Sequence, residues 1–463
     1  MGAVTNPDAN SKPEEAGDNK QLRKVVTASM AGTVVEWYEF FIYGTAATLV
    51  FPAVFFPGET ARTGLIYAFS TYAIGFAARP LGGLVFGHFG DKFGRKKLLQ
   101  LSIVMVGVAT FLMGCLPSYD QIGFLAPLLL VVLRFIQGFA VGGEWGGAVL
   151  LVAEHSPNSK RAFWSSFPQS GVPLGNFIAT IVLLSLYATL DDDAFLSWGW
   201  RVAFWLSAVI VFVGWYIRRS VEDAPVFVQA KERADTQPPE KLALVTVFKV
   251  YPRQVLTAMM LRAGENVLYY IVVTFSITYL RLIGVDTIRI LAYVLIGHFV
   301  HMFWIPLVGA WGDRFGRKPL YLAGAVLMVG YPWFAFSLWD ENMGGQVNVV
   351  LTVLAITVGL IVHGLMYALQ PAMFAELFPT SIRYTGVSIG AQLTSIATGS
   401  VAPLIGVALL GAEPDFDWTN VAIYISIMGL VSVVGALLYR ETKGASLTDL
   451  DTVEHERVLA ERR

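Results

Sequence analysis

The chain of 463 residues has a single cysteine, Cys115, and few charges, with only 14% of its residues Asp, Glu, Lys or Arg. One cysteine excludes a disulfide within the chain and any metal site built from several thiolates. Sparse charge, beside a hydrophobic fraction of 55% and a mean hydropathy of +0.59, excludes an ordinary soluble protein, which could not hide so much apolar surface. The net charge of −1 comes without a basic patch, so nucleic acid is not an expected partner. No G-x-x-x-x-G-K-[ST] loop is present, which argues against coupling to ATP. There is no nucleophile elbow, metal-ligand cluster or paired-histidine motif, so an enzyme, a cofactor and a metal are all unexpected. No apolar leader opens the chain, and the first 19 residues are polar and rich in Asp, Glu, Asn and Pro.

What the chain does have is long apolar runs. A membrane span needs about 20 apolar residues, and twelve such runs are expected, near 25–50, 64–89, 97–117, 122–152, 163–188, 198–217, 253–282, 288–312, 319–339, 346–373, 384–410 and 418–440. They group into bundles of six over 25–217 and 251–440, joined by a charged linker at 218–250. Residues 1–24 read as a disordered tail and 441–463 as a charged tail. Basic residues fall on one set of loops, at Arg23, Lys24, Lys92 to Lys97, Lys160, Arg161, Arg218, Arg219, Arg314 to Lys318, Arg383, Arg440 and Lys443. The opposite loops carry Asp191-Asp192-Asp193 and few basic residues. Basic loops face the cytoplasm, which puts both tails and the linker inside a cell membrane. Trp198, Trp200, Trp339 and Trp418 are expected at the outer interface.

The chain also repeats itself. Gly87-His88-Phe89-Gly90-Asp91-Lys92-Phe93-Gly94-Arg95-Lys96 returns as Gly309-Ala310-Trp311-Gly312-Asp313-Arg314-Phe315-Gly316-Arg317-Lys318, displaced by 313 − 91 = 222 residues. Ala153-Glu154, Pro157 and Arg161 match Ala375-Glu376, Pro379 and Arg383 at the same offset, 383 − 161 = 222. Two landmarks at one displacement imply two homologous halves. The glycines permit close helix approach and sharp reversal, and an aspartate at a helix start meets orphan N–H groups. Gly90, Asp91, Gly94, Arg95, Asp313 and Arg317 are therefore candidates for a conformational latch, with Glu144 a further one.

Ionisable groups inside spans default to a functional reading. Glu36 and Glu39 share a face of the first span, with Glu39 about 20 Å in. Arg134 reaches a similar depth in the fourth span, and two opposite charges at one depth in one bundle can neutralise each other. Glu265 and Arg262 occupy the seventh span. For Arg79, a structural ion pair and a substrate contact both fit. For His298, His301 and His363, a hydrogen-bonded packing role and a proton relay both fit, packing being the simpler. In the fourth span, Gly138, Gly142 and Gly146 at four-residue spacing permit very close helix contact.

The repeated charged turn resembles the signature of the major facilitator superfamily. That resemblance implies an all-α polytopic membrane protein of twelve transmembrane helices in two pseudo-symmetric bundles, working by alternating access, with the charged turns as latches. The runs Glu36-Trp37-Tyr38-Glu39-Phe40-Phe41-Ile42-Tyr43-Gly44, Arg79-Pro80-Leu81-Gly82-Gly83, Arg134 to Gly147 and Ser197-Trp198-Gly199-Trp200-Arg201 are similar to the metabolite:proton symporter branch. That branch includes carriers of shikimate, α-ketoglutarate, citrate, and proline or glycine betaine. Where it often has Asp, this chain has Glu39, so the acid is kept with one more methylene.

The expectation is therefore a monomeric symporter in the lipid bilayer of the cell membrane. It would import a small polar metabolite, a carboxylate such as shikimate or a dicarboxylate, together with protons. The alternatives are a proline/betaine symporter and a uniporter without proton coupling. Proton coupling is assigned to Glu39 and Arg134, with Glu36 beside them. The substrate pocket is expected between the halves. Tyr38, Tyr43, Arg79, Arg134, Gln137, Gln169 and Asn176 would line it from the first half, and Glu265, Tyr269, Tyr270 and Gln370 from the second.

Overall fold

The computed structural model describes residues 11–93, 95–142, 145–219, 243–340, 348–379, 382–411, 416–447 and 449–450. Its long helices are α1 (Ser11–Leu49), α2 (Ala61–Phe93), α3 (Arg95–Gly114), α4 (Leu125–Val141, resumed as Trp145–His155), α5 (Arg161–Thr189) and α6 (Trp200–Trp205, resumed as Ser207–Arg219) in the first half. The second half holds α7 (Pro252–Tyr270, continuing to Ser276–Leu282), α8 (Thr287–Phe315), α9 (Arg317–Asp340), α10 (Val349–Tyr367, resumed as Gln370–Leu377), α11 (Arg383–Thr394, continuing to Ala402–Leu409) and α12 (Thr419–Leu438). Seven of the described helices are long and apolar enough to span a membrane by composition alone. α1, α2 and α7, which carry the buried charges Glu36, Glu39, Arg79, Arg262 and Glu265, are not among the seven.

Packing repeats with the sequence. In the first half α1 packs on α5, α2 on α4, and α3 on α4 and α6; in the second, α7 packs on α11, α8 on α10, and α9 on α10 and α12. The halves meet along α5 against α8 and along α2 against α11, the same pair of helices exchanged. This is the pseudo-two-fold expected of a duplicated six-helix unit.

Glycines set the closest approach in the first bundle. A Cβ added to Gly138 would overlap the carbonyl of Gly75, one on Gly142 that of Arg79, and one on Gly82 that of Phe139. α2 and α4 thus touch backbone to backbone, as the four-residue glycine spacing implies. In α7 and α11 the hydrogen-bond ladder widens to π turns at Ile271–Phe275 and Ser395–Ser400, a device often found beside functional sites.

Two expectations need correction. Helix α1 begins at Ser11 rather than near residue 25, because Leu22, Val25 and Val26 form an apolar face that buries against Val152, Leu151, Trp164 and Phe167. Trp200 and Trp339 are not interfacial; both are fully buried, Trp200 among Phe51, Phe55 and Phe204, and Trp339 beside Tyr279 and Phe336. Trp198 is exposed, as expected of an interfacial ring.

Candidate functional site

The charges that composition makes conspicuous collect in two buried clusters facing each other across the boundary between the halves. In the first half, Arg134 of α4 is 2% exposed and caged by aromatic faces, its guanidinium carbon 4.1 Å from the ring centre of Tyr43, 4.8 Å from Tyr72 and 5.0 Å from Phe40. Cation–π contacts of this kind gain strength where water is excluded. Arg134 Nη1 donates to Gln137 Oε1, one turn along the same helix. Gln137 Nε2 donates to Thr110 Oγ1 at 2.7 Å, and Thr110 Oγ1 donates to Glu39 Oε2 at 2.9 Å. A four-member chain therefore joins Glu39 to Arg134 across α1, α3 and α4. The two charges expected to pair are linked through Thr110, which the sequence reading did not single out, and Gln137, which it placed in the substrate pocket.

Arg79 of α2 lies beside this chain, 4.3 Å from the ring centre of Phe76 and 5.2 Å from that of Phe40. With Glu36, Arg134 and Gln137 it lines a cavity of about 10 Å³. That is room for at most one water molecule, so the site is closed around its own side chains. A metabolite requires the halves to separate. Tyr270 reaches from α7 against Phe40, Tyr72 and Phe76, with ring centres 5.8, 6.3 and 5.9 Å apart, and closes the aromatic wall from the other side.

The second cluster is built differently. Arg262 Nη1 donates to Glu265 Oε2 at 2.9 Å and to Gln370 Oε1 at 2.7 Å. Gln370 Nε2 donates to Leu261 O at 3.0 Å and lies 3.2 Å from Glu265 Oε2. Glu265 Oε1 is 2.7 Å from His363 Nε2, and His363 Nδ1 is 3.1 Å from His301 Nε2. Tyr269 and Tyr367 cover the His363 ring at centroid distances of 4.6 and 4.8 Å. His301 and His363 thus lie within a polar cluster, whereas His298 makes ring contacts only, to Phe41, Tyr269 and His301. Arg262, His301 and His363 were not assigned to the pocket from sequence. The signal available was their common depth in α7, α8 and α10.

The remaining expected pocket residues divide. Gln169 Nε2 donates across the boundary to Tyr367 O at 3.2 Å. Tyr43 OH pairs with Thr71 at 2.6 Å beneath Arg134. Asn176 Oδ1 accepts from Thr180 within α5 at 2.9 Å. Tyr38 turns away from the boundary, donating to Ala203 O on α6 at 2.8 Å, because its position on α1 faces its own bundle.

Both ends of the boundary are tied. At the end bearing the repeated turns, Asp313 accepts from the N–H groups of Ala162 and Phe163, at 3.0 and 2.8 Å, so the second-half turn caps the first turn of α5 in the other half. The second landmark pairs with itself reciprocally. Arg161 bonds Glu376 at 2.6 Å, and Arg383 bonds Glu154 at 3.2 Å. Arg317 adds a contact of 3.3 Å to each of Glu376 and Asp313. Glu154 and Glu376 served only as repeat markers in the sequence, and Arg161 and Arg383 as repeat markers and as basic residues of the inner loops; their equal displacement was the sign that each would find its counterpart's partner. The side chains of Gly90, Asp91 and Arg95, and the whole of Gly94 and Glu144, lie outside the described residues. At the opposite end Arg62 donates to Ala408 O at 2.8 Å, Arg281 to Thr48 O at 3.1 Å, and Thr48 meets Thr278 at 3.1 Å.

Comparison with known proteins agrees with this arrangement. Residues 24–245 match the family model described as "Sugar (and other) transporter", and residues 299–462 match "Major Facilitator Superfamily". The chain is 38% identical to the inner membrane metabolite transport protein YhjE of Escherichia coli strain K12, over 92% of this chain and 95% of that one. It is 37% identical to the shikimate transporter of the same organism, covering 92% of this chain and 96% of that one. Its identity to the proline/betaine transporter of that strain is 33%, covering 96% and 89%. Among solved structures, the proton:xylose symporter XylE superposes with a TM-score of 0.72 at 16% identity, over 94% of this chain and 99% of that one. That identity speaks to the fold alone.

Proposed function

The chain belongs to the major facilitator superfamily and is a multi-pass membrane transporter of small molecules; from that premise we propose that it is a proton-coupled symporter, importing a small carboxylate-bearing metabolite such as shikimate or a dicarboxylate. The observation that carries this reading is the buried chain Glu39–Thr110–Gln137–Arg134. It holds an acid and a cation in one bundle, joined through neutral groups that rearrange without exposing either charge to lipid. Protonated from outside, Glu39 no longer needs Arg134 as its counter-charge, and Arg134 becomes available to a substrate carboxylate. When the halves rock, Glu39 releases its proton inward and the chain closes again. Neither charge is then left buried and alone, a state costing several kcal/mol.

The cage around Arg134 favours an anion over a quaternary ammonium. Rings that would cradle betaine already hold guanidinium groups, Arg79 on Phe40 and Phe76, and Arg134 on Phe40, Tyr43 and Tyr72. The reading takes both tails and the 218–250 linker as cytoplasmic, the protein as a monomer, and the ends tied by Asp313 and Glu376 as the inner gate. Asp91, Gly90, Gly94, Arg95 and Glu144 would complete that gate with Arg317.

The test is uptake into proteoliposomes under an imposed pH gradient, acid outside, with shikimate, α-ketoglutarate, citrate and glycine betaine each supplied alone and in competition. Accumulation of a carboxylate that collapses with the gradient is expected. Accumulation of betaine alone, or equilibration indifferent to the gradient, overturns the reading.

A further inference from the structure

Building on the reading of this chain as a proton-coupled carrier, we propose that His301 and His363 form a second proton-carrying station, in the half that lacks Glu39, with Arg262 and Glu265 as its fixed counter-charges. The hydrogen bonds determine which nitrogens carry hydrogen. Glu265 receives Arg262 and Gln370 on Oε2 and faces His363 on Oε1. The Arg262 guanidinium and the Gln370 amide both donate to Oε2, the setting of an ionised carboxylate, which has no hydrogen to give on Oε1. His363 Nε2 therefore carries hydrogen and donates, so its Nδ1 accepts. The hydrogen of the 3.1 Å contact then belongs to His301 Nε2. That leaves His301 Nδ1 as a bare acceptor, fully buried and without a partner in the protein. A histidine present only for packing satisfies its nitrogens. This one ends a directed chain with an open basic site.

The step balances. A proton adds to His301 Nδ1. The Nε2–H bond of His301 breaks, and its proton passes to His363 Nδ1. His301 ends neutral with its hydrogen on the other nitrogen. His363 becomes an imidazolium facing the Glu265 carboxylate at 2.7 Å. No electrons move, and release reverses the sequence. The cluster goes from neutral to one positive charge, which a substrate carboxylate at the boundary between the halves would balance.

His298 stands at the open end of the chain. It is 0% exposed, neither ring nitrogen has a partner, and its ring stacks 6.4 Å from His301 and lies 6.3 Å from Phe41 of the other half. It adjoins His301 on the side of the boundary without a hydrogen bond to His301 Nδ1. The other ionisable groups facing the pair are Tyr269 of α7 and Tyr367 of α10, with Glu36 of α1 acting on Tyr367 from a distance. Helix α5, which packs along α8, offers the neutral amides of Gln169, at Tyr367, and of Asn176, at Tyr269.

The experiment is ¹⁵N NMR of the intact, histidine-labelled protein in detergent, titrated between about pH 8 and pH 5. The signals of His298, His301 and His363 are assigned by single substitution. At the alkaline end His301 and His363 should both be Nε2–H tautomers, and on acidification His363 should gain its second hydrogen. His301→Phe removes the ring nitrogen that accepts the Nδ1 hydrogen of a charged His363, so His363 should take up its second hydrogen at a lower pH than in the wild type. Should that variant misfold, the wild-type tautomers still decide. Nδ1–H on His363 at the alkaline end, or neutral rings throughout, overturns the proposal, as does unchanged titration of His363 in a folded His301→Phe protein. Glu39→Gln should leave this titration in place, so a failure of the Glu39 assignment and a failure of this one are told apart.

Discussion

The two halves share one fold and one packing scheme, yet they treat their buried charges in opposite ways. In the second half Arg262 and Glu265 touch directly, one turn apart on α7, with Gln370 bracing both. In the first half Glu39 and Arg134 sit on different helices, and two neutral side chains link them. A direct pair on one rigid helix fixes its charge. A relayed pair spread over three helices changes when those helices shift. Duplication thus yields one half in which the arginine–carboxylate pair is direct and another in which it is relayed through neutral side chains.

The sharpest break of that contrast is Arg262→Ala. It leaves the buried carboxylate of Glu265 with Gln370 and His363 but without its counter-charge, and losing one partner of a buried pair costs about 3–5 kcal/mol. Thermal unfolding in detergent should show a larger loss than for Arg134→Ala, which leaves Glu39 its bond from Thr110 but abolishes transport. Equal losses would erase the distinction between the halves. Next comes Gly138→Ala. With the Gly75 carbonyl where the new Cβ must go, α2 and α4 must part, an overpacking cost of about 3 kcal/mol. The same measurement should find Gly330→Ala harmless, since no atom lies within 4 Å of a Cβ there.

The inner gate compares the halves in a third way, because its pairs are reciprocal. Glu376→Gln weakens contacts to both Arg161 and Arg317, whereas among the described residues Glu154→Gln touches only Arg383. A cysteine introduced on the gate side of the boundary should react about tenfold faster with maleimide in Glu376→Gln, and less so in Glu154→Gln. Equal reactivity would mean that the gate has no dominant member. The smallest effect concerns topology. A cysteine at 191–193 should label from outside whole cells and one at 225–235 should not, with little change in activity.

Much of this fold could be read from hydropathy, since twelve apolar runs and one repeated offset suffice to imply two bundles of six. The glycine spacing of α4 likewise allowed for a close helix contact, although it did not say that α2 would be the partner. The site was less legible. Arg134, Glu39, Gln137 and Arg79 were found because charge or amide at mid-span is conspicuous. Thr110 was missed because a threonine in an apolar run is ordinary until a carboxylate lies 2.9 Å away. His363 and His301 were visible as histidines, but spacing within one helix says nothing of a neighbour on another. Tyr38 was misplaced for a related reason. It adjoins Glu39 in sequence, and on a helix adjacent residues point about 100° apart.

The central claim is that Glu39 carries the proton that drives accumulation. It is tested most directly by Glu39→Gln in proteoliposomes, comparing counterflow exchange with pH-driven uptake of whichever carboxylate the wild-type protein accumulates. Glutamine copies the protonated acid and keeps an oxygen for Thr110, so exchange should persist while accumulation under the gradient is lost. A Glu39→Gln protein that still concentrates its substrate in response to the pH gradient contradicts the account.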